Sequence, residues 1–175
     1  MTERRLSEKQ KISDIPCETM EMPKTFSIFE DTISELKFNV MPDRPVTEKL
    51  LIKEYRIGPR YIESVFDRTY CSSMEHSPSH LVFLSALVHT QKMLYTYFCH
   101  EFELEYDPFK KEKLKIWPTI VNVKMPKMIT EEGGISHKMW ITRFIKRTKT
   151  KFFIETKSNV NDIIVINGSA MILLI

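Results

Sequence analysis

The segment from Leu81 to Phe98 constrains this chain more than any other stretch. At helical spacing it is apolar on most sides, through Leu81, Leu84, Val88, Met93 and Leu94 with Phe83, Leu87 and Tyr95. A helix of that kind must be covered on most sides. It has the roughly 18 residues of a membrane span, but Ser85, His89, Gln91 and Lys92 interrupt it, so the reading is a core helix over 79–101. Ser79 is its natural N-cap. Ser85, His89, Thr90 and Gln91 travel inside it, and buried polar groups need partners.

The rest of the chain reads mostly as strand. Residues 48–56 and 60–70 form two strands about the turn Ile57-Gly58-Pro59-Arg60, where Gly and Pro supply the dihedrals of a reversal. After a lysine-rich loop at 110–115, residues 116–124, 136–147, 149–157 and 162–175 are rich in β-branched and aromatic residues. Turns are expected at Glu131-Glu132-Gly133-Gly134, at 146–148 and at 159–161. Residues 26–38, with Phe26, Ile28, Phe29, Ile33 and Leu36, carry a helical stripe. Residues 1–25 are polar and aperiodic, contain Pro16 and Pro23, and read as a mobile N-terminal arm before a single domain at 26–175.

Composition narrows the function. A 42% hydrophobic, 28% charged chain buries a core, and a net charge of +3 is too small to argue for nucleic acid. Cys17, Cys71 and Cys99 form no CxxC pair, so neither zinc nor a disulfide framework is indicated, and no metal or cofactor is expected. Cys71 and Cys99 read as small packing residues. No apolar signal segment opens the sequence, and a reducing cytoplasm fits.

Two early strands, one buried helix and about four late strands give an α+β chain in which a curved antiparallel sheet wraps a long helix. From about Tyr70 onward the sequence resembles the hotdog superfamily of acyl-thioester enzymes. Tyr70, His76 six residues on, Thr90-Gln91 and Tyr95 resemble the pattern of the FcoT-like long-chain fatty acyl-CoA thioesterase family. The late strands, with Phe152-Phe153-Ile154-Glu155 and Asn167-Gly168-Ser169-Ala170, are similar as well. His76-Ser77-Pro78-Ser79-His80 also resembles the His-Phe-Pro-Gly-His loop of hydroxyacyl-ACP dehydratases. That chemistry needs a helix acid, and none occurs from Ser79 to His100. Glu63 or Asp67 on the preceding strand would have to supply it.

The resemblance implies a hotdog fold, a homodimer or higher homo-oligomer, and hydrolysis or a related addition at the thioester of a fatty acyl-CoA or acyl-carrier protein. The alternatives are a dehydratase and a non-catalytic acyl-binding or dimerisation module. Within that reading His80, Tyr70 and His89 are the catalytic candidates. His80, a neutral imidazole at the mouth of the helix, suits a general base. Tyr70 would anchor the carbonyl. Ser85 and His89 are four apart and share a helix face, which either lines a pocket or meets the sheet. His76, Ser79, Ser85 and Gln91 are candidate substrate contacts. Backbone N–H groups near Ser79 to Val82 would form an oxyanion site. Arg143, Lys146 and Arg147, in a basic hairpin with Lys149 and Lys151, are a candidate dock for CoA phosphates or an acidic carrier protein.

Overall fold

The computed structural model describes residues 26–76, 78–105 and 112–175. The expected arm at 1–25 lies outside the described residues. Among the described residues seven strands and one long helix follow in the order β1 (Phe26–Met41), β2 (Arg44–Gly58), β3 (Tyr61–Ser72), α1 (Phe83–Glu101), β4 (Leu114–Lys124), β5 (Ile135–Lys146), β6 (Lys151–Val160) and β7 (Ile164–Leu174).

The strands make one antiparallel sheet in the order β1-β2-β3-β5-β6-β7-β4. Hairpins set most of that order. Arg60 (φ 55°) closes β2–β3, and Asn161 and Asp162 (φ 48° and 54°) close β6–β7. Both central residues of that last turn are left-handed, the geometry whose twist matches a hairpin. After the helix the chain crosses to the far side, and β4 pairs with β7 at the edge. Register shifts between Ile52 and Glu54, Ile141 and Arg143, and Pro118 and Ile120 bend the strands. The sheet curls about α1, which is the hotdog arrangement.

Between the helix and the concave face lie Ile52, Ile62, Phe66, Met93, Met139, Ile154 and Ile172, all fully buried. An aromatic cluster closes the C-terminal end of the helix. Phe98 stacks on Phe102 and Phe144, and Phe152 meets both of those rings, with centroids 4.9–6.0 Å apart. Such ring pairs contribute about 0.5–1.5 kcal/mol each beyond their buried area.

Three expectations are corrected. Residues 26–38 belong to strand β1. Exposure alternates from Ile33 to Asn39, with Ser34, Leu36 and Phe38 half-buried between exposed neighbours. A tight turn at Asp43 (φ 59°) brings this segment alongside β2, and ladder pairing prevails over the weak helical stripe. Second, the helix begins at Phe83 rather than Ser79, and its N-cap is Val82, with no side-chain cap. Leu81 and Val82 are buried as extended chain, and Leu81 N–H donates to the Ile129 carbonyl at 2.8 Å. Third, among the described residues the helix is not covered on most sides. A single sheet covers one side of it, and Phe83, Leu84 and Val88 stay 46%, 36% and 46% exposed.

Candidate functional site at the helix start

Alternation along β2 and β3 brings two charges to the concave face. Glu48 lies among Val46, Leu50 and Ile52, and Arg68 follows Phe66. Both side chains are fully buried, and Arg68 Nη1 donates to Glu48 Oε1 at 3.1 Å. The guanidinium also donates from Nη2 to Ser79 Oγ (2.8 Å) and from Nε to the Glu131 carbonyl (2.8 Å). The second Glu48 oxygen accepts the Val82 N–H at 3.0 Å. Burial raises the Glu48 carboxyl above its ordinary range, while the nearby Ser85 hydroxyl, the Val82 N–H and Arg68 act against that rise. The carboxylate therefore sits where a helix start favours negative charge.

This ion pair lies under the run that the sequence singles out. Tyr70 is opposite Glu48 in the β2–β3 register. Its ring lies 5.9 Å from the Arg68 guanidinium and 5.8 Å from the His80 ring. His80 is half-buried, and its Nδ1 is 2.8 Å from the Pro78 carbonyl oxygen. A carbonyl only accepts, so Nδ1 carries a proton, and in the neutral ring Nε2 presents its lone pair.

Of the oxyanion donors expected at Ser79 to Val82, the N–H groups of Leu81 and Val82 are already taken by Ile129 and Glu48. The first helical residues, Phe83 and Leu84, follow directly. The connection from β4 to β5 borders the same place, since Ile129 bonds Leu81, and Met128 beside it is 49% exposed. His80 thus neighbours an apolar rim.

The other sequence candidates lie elsewhere. His89 is fully buried and faces the sheet, its ring 5.0 Å from Phe66, 5.4 Å from His137 and 6.3 Å from Tyr55. Both nitrogens of His89 and both of His137 have no hydrogen-bond partner among the described residues. Burial, then His137, then Lys92 hold His89 well below its ordinary range, and burial holds His137 down at about 3. Ser85 shares the buried helix face with His89, and its hydroxyl lies near Glu48 but has no hydrogen-bond partner among the described residues. His76 (φ 56°) is exposed in the loop, and Ser79 is held by Arg68. Gln91 is exposed on the open helix face with Leu84 and Val88.

Arg143, Lys146 and Arg147 end β5 beside the C-terminal end of α1, because Phe144 stacks on Phe98. Arg143 pairs with Glu155 at 3.1 Å, and the Arg147 guanidinium lies 6.0 Å from the Phe153 ring. A 19-residue helix, roughly 28 Å long, separates this cluster from the end where His80 sits. Neither strand acid named from the sequence is free for His80. Glu63 is held by Ser136 (2.7 Å) and Arg56 (3.3 Å), and Asp67 by Lys53 and the Gly134 N–H. Cys99 is buried, as a packing residue would be, but Cys71 is exposed; both are free thiols.

Glu48, Arg68 and His137 went unnoticed in the sequence. Their signal was a charged or polar residue at an inward position of an alternating apolar strand. Among the described residues no group of three or more His, Cys, Asp or Glu could hold a metal ion, and no helix is long and apolar enough to cross a membrane.

No protein-family model matches the sequence, and no curated protein matches it. Among solved structures the chain is similar to a thioesterase from Haemophilus influenzae (9% identity, 71% of this chain and 78% of that one, TM-score 0.42). It is likewise similar to a mutant thioesterase from Pseudomonas aeruginosa (11%, 72% and 82%, TM-score 0.43). A thioesterase-superfamily member from Thermus thermophilus aligns over 89% of this chain and 87% of its own (10%, TM-score 0.33). Identities and scores this low assign no reaction to this chain.

Proposed function

We propose that this protein hydrolyses an acyl thioester, with His80 as general base. One observation carries the reading. The Nδ1 contact with the Pro78 carbonyl leaves Nε2 of a half-buried imidazole open beside the Tyr70 ring and a helix start. Nε2 takes a proton from water as the oxygen attacks the thioester carbonyl. The N–H groups of Phe83 and Leu84, with the Tyr70 hydroxyl, face the developing oxyanion. The carbon–sulfur bond then breaks, and the proton on His80 passes to the leaving thiolate.

Exposed Phe83, Leu84, Val88 and Met128 suit an apolar acyl chain. A fatty acyl group on CoA or on an acyl-carrier protein is the substrate class of this reading. His89 takes no part in it. The basic cluster at Arg143, Lys146 and Arg147 lies at the wrong end of its own helix to hold the same ligand, so its docking role requires a second copy. β4 supports such a copy. Among the described residues its outer edge is unpaired, and Trp117, Ile120, Val121 and Val123 along it are exposed. An exposed apolar edge strand is a template for pairing. We place this homodimer in the cytoplasm, in keeping with the free thiols. Dehydration is the second reading, and the engagement of Glu63 and Asp67 counts against it.

The test is thiol release from butyryl- to stearoyl-CoA and from acyl-carrier-protein conjugates, with mass analysis of the acyl product. Free acid is the expected product, and His80→Ala should lower turnover by about 10²-fold or more. Loss of water from the acyl chain without thiol release would favour the dehydratase. Unchanged turnover in His80→Ala would remove His80 from the mechanism.

A further inference from the structure

A fully buried ion pair needs a reason other than stability. Desolvation consumes much of its Coulombic gain, and apolar residues of similar volume often serve as well. Glu48 and Arg68 differ from an isolated pair in what else they hold. Arg68 reaches Ser79 and the Glu131 carbonyl, and its backbone N–H donates to the Glu132 carbonyl at 2.7 Å. Glu48 holds Val82. His80 therefore sits between two clamped residues, Ser79 and Val82, with Leu81 fixed to Ile129. Tyr70 lies against Arg68 on one side and His80 on the other.

We propose that Glu48 and Arg68 are positioning residues for His80: their pairing fixes the loop so that the Pro78 carbonyl stays on Nδ1 and Nε2 stays open. The role rests on the hydrolase reading of His80, but the geometry it controls can be measured without any substrate. A lysine in place of Arg68 keeps the charge opposite Glu48 and loses the fork that spans Ser79 and Glu131. A paired apolar replacement, Glu48→Leu with Arg68→Met, removes both charges and strands neither.

The experiment compares the wild type with that double variant, Arg68→Lys and Ser79→Ala. Circular dichroism checks the fold, and long-range proton–nitrogen NMR of the His80 ring reads the tautomer. The wild type should show a single Nδ1–H tautomer. The folded double variant should show a mixture, with kcat on the best acyl thioester lowered by about 10²-fold, the scale of a misplacement near 1 Å, and KM nearly unchanged. Arg68→Lys and Ser79→Ala should fall between. A folded double variant with the wild-type tautomer and kcat overturns the proposal, as does a mixed tautomer in the wild type. Should the double variant not fold, an unchanged tautomer in Ser79→Ala and Arg68→Lys overturns it. If no thioester is hydrolysed by the wild type, the hydrolase reading falls, and the tautomer comparison still decides whether the pair positions His80.

Discussion

Acid should loosen this fold through His89 and His137. Both rings are fully buried, and both are held neutral, His137 down at about 3 and His89 well below its ordinary range. A base whose folded pKa is depressed supports the fold fully above its unfolded pKa of 6.5 and loses that support as pH falls below it. The unfolded chain binds the proton and the folded one does not. Between about pH 7.5 and about pH 5 the His137 ring then costs about 2 kcal/mol, because the loss depends only on the unfolded pKa while the folded one stays at about 3. His89 acts in the same direction, and the His137 share alone is a sizeable part of a typical folding free energy.

Glu48 works in the opposite direction, since its raised carboxyl takes up a proton more readily in the folded state. It is present in both proteins compared, so it cancels in the difference. Urea unfolding of the wild type and of His89→Leu/His137→Leu at the two pH values gives the measurement. The wild type should lose at least about 2 kcal/mol more than the double variant on acidification. Equal losses in the two proteins would refute the assignment of a neutral, desolvated pair.

Two further outcomes test the edge of the sheet. A Cβ on Gly168 would lie 2.9 Å from the Ile120 carbonyl oxygen, in the irregular stretch where β4 meets β7. Gly168→Ala should cost about 1–3 kcal/mol, read from the urea midpoint, and an unchanged midpoint would show that β4 can yield there. Trp117→Lys with Ile120→Lys places charges on the exposed edge strand, and analytical ultracentrifugation should show a wild-type dimer become monomer. A variant that sediments like the wild type would exclude β4 as the interface.

Much of this architecture was legible along the chain because the information is local. Helical spacing from Phe83 to Glu101, β-branched runs in β5 to β7, and Gly, Pro and Asn at the turns each report on a few neighbouring residues. That the Tyr70 and His80 rings lie close follows for the same reason, since one short loop joins them. What tertiary structure decided involves residues far apart in sequence. The stripe at 26–38 is compatible with helix or strand, and only the unpaired flank of β2 chose strand. Ser79 has the chemistry of an N-cap, yet Arg68 takes its hydroxyl, and the burial of Leu81 and Val82 starts the helix later. Alternation placed Glu48 and Arg68 inward but could not say that they would share one ion pair beneath His80. The spacing of Ser85 and His89 set them on one face. Only the packing of β5 beneath that face set His137 against His89, because periodicity determines which side of an element is covered and not what covers it.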